Sequence, residues 1–238
     1  MSGRQLPGGR DPGDVRAEGP SRILTAWDQI SSPGSSPVND LERRVPMPSV
    51  TVILPTHRHR AIATLTLAFA NDPVARWVWP DPHVYTSYFP RIIEAFGGGA
   101  FESGTANAVA DLAAVALWLP PHVHADEETM TALIEESAAA SVRPDLDGFF
   151  GQMADLHPSF DHWYLPLAGV DPPAQGRGLG SVLLGYAIKR CDEDGLPAYL
   201  EATSPRSRDL YARLGFEQIG VIQQGGSPPM WPMLRRPA

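Results

Sequence analysis

The stretch VDPPAQGRGLGSVLLGYAIKR, residues 170–190, decides how this chain is read. Two prolines and the alternating Gly176, Gly178 and Gly180 give way abruptly to apolar residues at helical spacing. A turn of this kind, set between a strand and a helix, presents backbone N–H groups that the helix leaves without acceptors. Those donors and the helix dipole favour an anion, above all a phosphate. Glycine suits the turn because a Cβ blocks close approach and disfavours positive φ. Past it, Leu179, Val182, Leu183, Tyr186 and Ala187 share one helical face that docks on a sheet, and Ser181 adds a hydroxyl donor.

Two phosphate-binding templates fail here. A Walker A loop needs Lys and then Ser or Thr after its last glycine, but Gly180 is followed by Ser181 and Val182. A dinucleotide fingerprint G-x-G-x-x-G ends on Leu183 if begun at Gly178, and on Ser181 if begun at Gly176. Glu201 does stand about twenty residues on, as that fingerprint expects. Only 37 residues follow Glu201, however, too few to finish a dinucleotide-binding sheet.

The flanking sequence sets the frame. The chain has 238 residues, enough for one well-buried domain with length to spare. Residues 1–48 hold nineteen Pro, Gly and Ser and no apolar periodicity, so they are expected to be a disordered extension with at most a short helical turn near Ile23 to Ile30. The folded domain is expected over 49–238. Acidic and basic residues balance within 1–48, so the net charge of -8 belongs to that domain and argues against nucleic acid or an anionic membrane as partner. A single cysteine, Cys191, rules out an internal disulfide and a thiolate zinc site. No secretory signal pattern and no apolar run of spanning length is present, so a cytoplasmic setting is expected.

The order of elements reads as a mixed α/β sheet. VTVIL (50–54) is a strand, and Thr56 is the expected cap of a helix running to Asn71. Asp72-Pro73 and Asp81-Pro82 open two more helices, the second ending at Gly97-Gly98-Gly99. Strands follow at 105–111 and 114–119, then helices at 126–142 and 145–155. The last third reads as strand 162–170, helix 178–193, strand 198–203 and helix 205–214, with closing strands at 216–222 and 229–234.

Within this frame, Gln175-Gly176-Arg177-Gly178-Leu179-Gly180 matches the Q/R-x-x-G-x-G/A signature of the GNAT superfamily of N-acetyltransferases, with Val170 and Pro172 at the family spacing before it. DLYARLGFEQIG (209–220) resembles that family's second signature, L-Y-x-x-x-G-F. The resemblance is specific over 162–222 and coarse over about 50–236. It implies a GNAT fold: a mixed, mostly antiparallel central sheet flanked by helices and splayed at the acetyl-CoA site. It implies an acetyl-CoA-dependent N-acetyltransferase whose acceptor is a small amine or a peptide or protein amine, working as monomer or homodimer. The backbone of Leu167, Ala168, Gly169 and Val170 would bind the pantetheine arm. The amides of Gln175 to Ser181 would hold the pyrophosphate, with Arg177 as a cationic partner. Tyr211 stands where the family has its general acid. Ser204 and Ser207 stand where many members carry a CoA-contacting Asn.

Direct attack of a neutral amine on the thioester needs no covalent intermediate, so Cys191 is read as a packing residue. Glu201 is the candidate general base, with Asp111 or a water as alternatives. Trp77, Trp79, Tyr85, Tyr88, Phe89 and Trp118 are candidate walls of an amine pocket or core residues. The pairs His57/His59 and His122/His124 lack a carboxylate or cysteine at ligand spacing, so no metal site is expected. A non-catalytic acyl-CoA-binding module on the same fold, or another acyl-CoA donor, is the competing reading.

Overall fold

The structure, a computed structural model, describes residues 48–238. The extension expected over 1–48 therefore lies outside the described residues, Pro48 apart. β1 (Val50–Val52) leads through a 3-10 turn at Pro55–His57 into α1 (Arg58–Ala68). Thr56 is not the cap expected there. Pro55 fixes φ early and starts the turn ahead of the helix, whose own N-cap, His57, makes no side-chain cap bond.

Both Asp-Pro pairs do open helices. Asp72 accepts from the amides of Val74 and Ala75 ahead of α2 (Pro73–Val78), and Asp81 from those of His83 and Val84 ahead of α3 (Pro82–Gly97). After α4 (Gly99–Glu102) come β2 (Ala106–Val109) and β3 (Ala114–Leu119). The helix expected over 126–142 stops short as α5 (Glu127–Ser137), because Ala138 turns extended and Ala139 donates to the carbonyl of Val78. α6 (Arg143–Leu156) follows.

The C-terminal third runs β4 (Trp163–Val170), α7 (Leu179–Asp194), β5 (Ala198–Ala202), α8 (Pro205–Arg213), β6 (Glu217–Gln218) and β7 (Trp231–Arg235). The strand expected over 216–222 keeps only β6 and a single bridge from Ile222 to Met230. Between them the chain leans on α6: a Cβ at Gly220 would stand 3.0 Å from Leu156.

Among the described residues seven strands form one sheet in the order β1-β2-β3-β4-β5-β7-β6, in which only β4 and β5 pair in parallel. The period of two along β3 splits the core. Val115, Leu117 and Leu119 join the cluster under α1 to α6, whereas Ala114, Ala116 and Trp118 face the cluster under α7 and α8. Helices therefore cover both faces. β4 is bulged: Leu117 pairs with Leu167 but Leu119 pairs with Tyr164, which inserts one extra residue on β4. The bulge holds Pro166, which has no N–H to give to a ladder. The β4–β5 ladder ends at Leu165 and Leu200, and past it the two strands no longer pair with each other, β4 keeping β3 and β5 keeping β7 as neighbours.

Candidate active site

The gap between the mutually unpaired ends of β4 and β5 opens into a cleft of about 560 Å³. Its floor is Pro166 and Ala168 to Val170, one wall is the 174–181 turn, and the other is Thr203, Ser204 and Tyr211. The turn has the backbone that its glycines suggest. Gly176 and Gly178 sit at φ 77 and 78, the left-handed region, with nothing near the position of a Cβ. The first helical bond of α7 is from Val182 to Gly178, so the amides of Gly176 to Ser181 find no acceptor among the described residues. A run of free donors at the end of a sixteen-residue helix fits a pyrophosphate.

The sequence-predicted residues divide into three kinds. Gly176, Gly178, Leu179, Gly180 and Ser181 line the cleft, as do Ala168, Gly169 and Val170, while Leu167 turns to the opposite core. Gln175 acts through its side chain as well: Nε2 donates to the carbonyl of Val170 at 3.1 Å and Oε1 accepts from Arg206 at 3.2 Å, clamping the turn to β4. Arg177 is exposed beside the turn and makes no ion pair among the described residues. Ser204 and Ser207 line the cleft, but their side chains cap each other's amides at 3.2 Å and form the capping box of α8.

Tyr211 is 8% exposed and borders the cleft, its ring against Phe216. Burial, and then the carboxylate of Asp72, hold its phenol well above the usual 10, so it stays protonated. Asp72 was not foreseen at this site. It caps α2, accepts from Thr203 Oγ1 at the end of β5, and borders the same cleft. Burial raises its carboxyl above 3.8 against those hydrogen bonds. Its only sequence signal is the Asp-Pro helix start.

Glu201 lies in the cleft wall with its side chain 5% exposed. Oε2 accepts from the Tyr164 hydroxyl at 2.8 Å, while Oε1 is buried without a hydrogen-bond partner. His157 Nδ1 stands 3.9 Å from Oε1. The histidine tautomers follow from their partners. His162 Nδ1 lies 2.7 Å from the Phe160 carbonyl, which only accepts, so this nitrogen carries the proton. Burial lowers the pKa of His162 and favours its neutral form, leaving Nε2 as acceptor for His157 Nε2–H at 3.2 Å. His157 Nδ1 therefore faces Glu201 Oε1 across a gap that no hydrogen bond fills.

Other candidates fall away from the cleft. Asp111 is 84% exposed and paired with Arg60 at 3.0 Å in the β2–β3 turn. Trp118 is buried under α7 and does not line the cleft. Trp79, Tyr85 and Phe89 belong to the core under α1 and α3, with Trp77 and Tyr88 packed against it. Cys191 is buried, its thiol pushed up to about 12, mainly by burial, and its Sγ turned to the Ala187 carbonyl. No helix among the described residues is long and apolar enough to cross a membrane.

The profile described as "Acetyltransferase (GNAT) family" matches residues 112–216, from the β2–β3 turn through the cleft to the end of α8. An uncharacterised N-acetyltransferase of Schizosaccharomyces pombe is 29% identical over 202 residues, covering 75% of this chain and 79% of that protein. A mycothiol acetyltransferase of Beutenbergia cavernae is 41% identical over 63 residues, 21% of its length. Among solved structures, one described as histone acetyltransferase HPA2 and related acetyltransferase, from Corynebacterium glutamicum, is 29% identical, with a TM-score of 0.58 over 80% of this chain and 97% of that one.

Proposed function

Because this chain belongs to the GNAT family of acetyltransferases, which use an acyl-CoA donor, we infer that residues 49–238 form its catalytic domain and move an acetyl group from acetyl-CoA to a primary amine. One observation carries the choice of donor: the unbonded amides of Gly176 to Ser181 open onto a cleft that ends at a protonated tyrosine.

In this reading the amides of Gly176 to Ser181 hold the pyrophosphate, with Arg177 beside it. The Gln175 amide, expected to join them, is held by the Pro172 carbonyl at 3.3 Å. The unpaired edge of β4 at Leu167 to Val170 binds the pantetheine arm, since its outward groups have no ladder partner in β5. Ser204 and Ser207 serve by fixing the start of α8, which sets Tyr211 against the cleft. An ammonium gives one proton to the Glu201–His157 gap, and the neutral amine attacks the thioester carbonyl. The C–N bond forms and the C–S bond breaks. Tyr211 gives its proton to the leaving thiolate and recovers one from the nitrogen as the amide forms. One proton is released per turnover.

Acetyl-CoA at saturation should raise the melting temperature of the chain, because a ligand that binds only the native state stabilises it. Thiol release should then require an amine. Absence of any melting shift contradicts the donor assignment. A shift without amine-dependent thiol release would instead make the chain a binding module.

A further inference from the structure

A second and larger cavity, about 730 Å³, lies between α5, α6 and the ends of β3 and β4. It abuts the donor cleft through one shared wall. Tyr164 lines the large cavity, Glu201 lines the cleft, and the two are hydrogen-bonded at 2.8 Å. His157 and His162, which lead to Glu201 Oε1, also line the large cavity.

The linings of the two cavities differ in charge. The cleft includes Arg206 and Arg213, which suit the phosphates of a nucleotide donor. The large cavity has no Lys or Arg in its lining, but does have Glu127, Glu135, Asp147 and Asp161. Among the described residues Glu127, Glu135 and Asp147 have no ion-pair partner, so their field is uncompensated at the mouth. Deeper in, the walls are Phe96, Met130, Ile134, Leu146, Phe150 and Met153. Behind the Tyr164 wall, on the side of the cleft, lies the unpartnered, buried Glu201 Oε1.

We propose that this cavity is the acceptor chamber, and that it takes a cationic primary amine with an apolar aryl or alkyl body. The proposal rests on the acetyltransferase reading of the adjoining cleft. The acidic mouth draws in the cation, the aromatic and Met-rich walls bury its body, and the ammonium comes to rest at the Tyr164–Glu201 wall. There it loses a proton into the gap between Glu201 Oε1 and His157 Nδ1, and the freed lone pair faces the thioester. This assigns to α5 and α6, with Phe96 of α3, the specificity that Trp77, Trp79, Tyr85, Tyr88 and Phe89, spent on the core, do not provide.

The test compares 2-phenylethylamine, putrescine and glutamate as acceptors at saturating acetyl-CoA, reading thiol release, with the acetyl-CoA melting shift measured in parallel. The chamber predicts kcat/KM for 2-phenylethylamine about tenfold or more above putrescine, which lacks an apolar body, and glutamate below both. Met130→Trp, which fills the chamber, should abolish 2-phenylethylamine turnover and keep the acetyl-CoA shift. Glu127→Lys with Glu135→Lys, both on the exposed rim, should raise KM severalfold for the cation and weaken its dependence on salt. Full turnover in Met130→Trp, an unchanged KM in the rim variant, or a preference for glutamate overturns the proposal. Loss of the acetyl-CoA shift in the parent chain would instead overturn the donor assignment.

Discussion

Tyr211 combines the two properties that a proton donor to a thiolate needs: it borders the cleft, and it keeps its proton. Burial and the nearby Asp72 carboxylate both raise its pKa, so ionisation of the phenol should cause no loss of rate below its ordinary 10. Tyr211→Phe should lower kcat by about a hundredfold while leaving the acetyl-CoA melting shift intact. An equal loss in binding and rate would mark the ring as a structural support only. Asp72 makes a separate prediction. Its folded pKa lies above 3.8, so the stability it contributes is fully present below that value and is lost as pH rises through the raised pKa. Asp72→Asn keeps an N-cap acceptor without the charge. Its melting temperature, relative to the parent, should therefore rise as pH climbs from below 3.8. A fall would mean that the carboxylate's charge at the helix start outweighs its burial. The family resemblance pointed to Tyr211 and the strand end to Glu201, and both border the cleft. Sequence reading missed His157, which reaches Glu201 only through the β4–β5 register that pairs Tyr164 with Tyr199.

At the scale of elements, the glycine turn and α7 carry most of the proposed donor site. Gly178→Ala forces an L residue to φ 78, at a cost of about 1–2 kcal/mol. The turn should then distort and the acetyl-CoA dissociation constant should rise, by about tenfold if the strain falls wholly on the bound form. Gly169 has a different purpose: a Cβ there would stand 2.6 Å from Cβ of Ala68, so α1 can lie close on β4 only over a glycine. Gly169→Ala should cost stability by about 1–3 kcal/mol in chemical denaturation, as other overpacked contacts do. These elements were legible because their signals are local: glycines before a helix, Asp-Pro starts, an alternating strand. The failures have nonlocal causes. The helix through 126–142 breaks where Ala139 bonds to Val78, and β6 shortens where Gly220 rests on Leu156. No neighbouring residue in the sequence announces either contact.

For the whole molecule, one seven-stranded sheet among the described residues separates two cores, and an acidic cavity and a charge-balanced cleft lie on either side of one tyrosine–carboxylate pair. The net charge predicted an acidic domain. The placement of that acid at the mouth of the larger cavity, with arginines kept to the other, follows only from the fold. The fold class could thus be read from residues 162–222, which also carry the proposed donor half of the site, whereas the proposed acceptor half is drawn from α5, α6 and strand ends far apart in the chain. The central claim is that the two halves form one reaction path. It is tested most directly by single-turnover thiol release from acetyl-CoA, with and without 2-phenylethylamine, at enzyme in excess. The account predicts release that depends on the amine, matches N-acetyl product mole for mole, and slows in Tyr211→Phe. Release that ignores the amine, or leaves the amine unmodified, would contradict it.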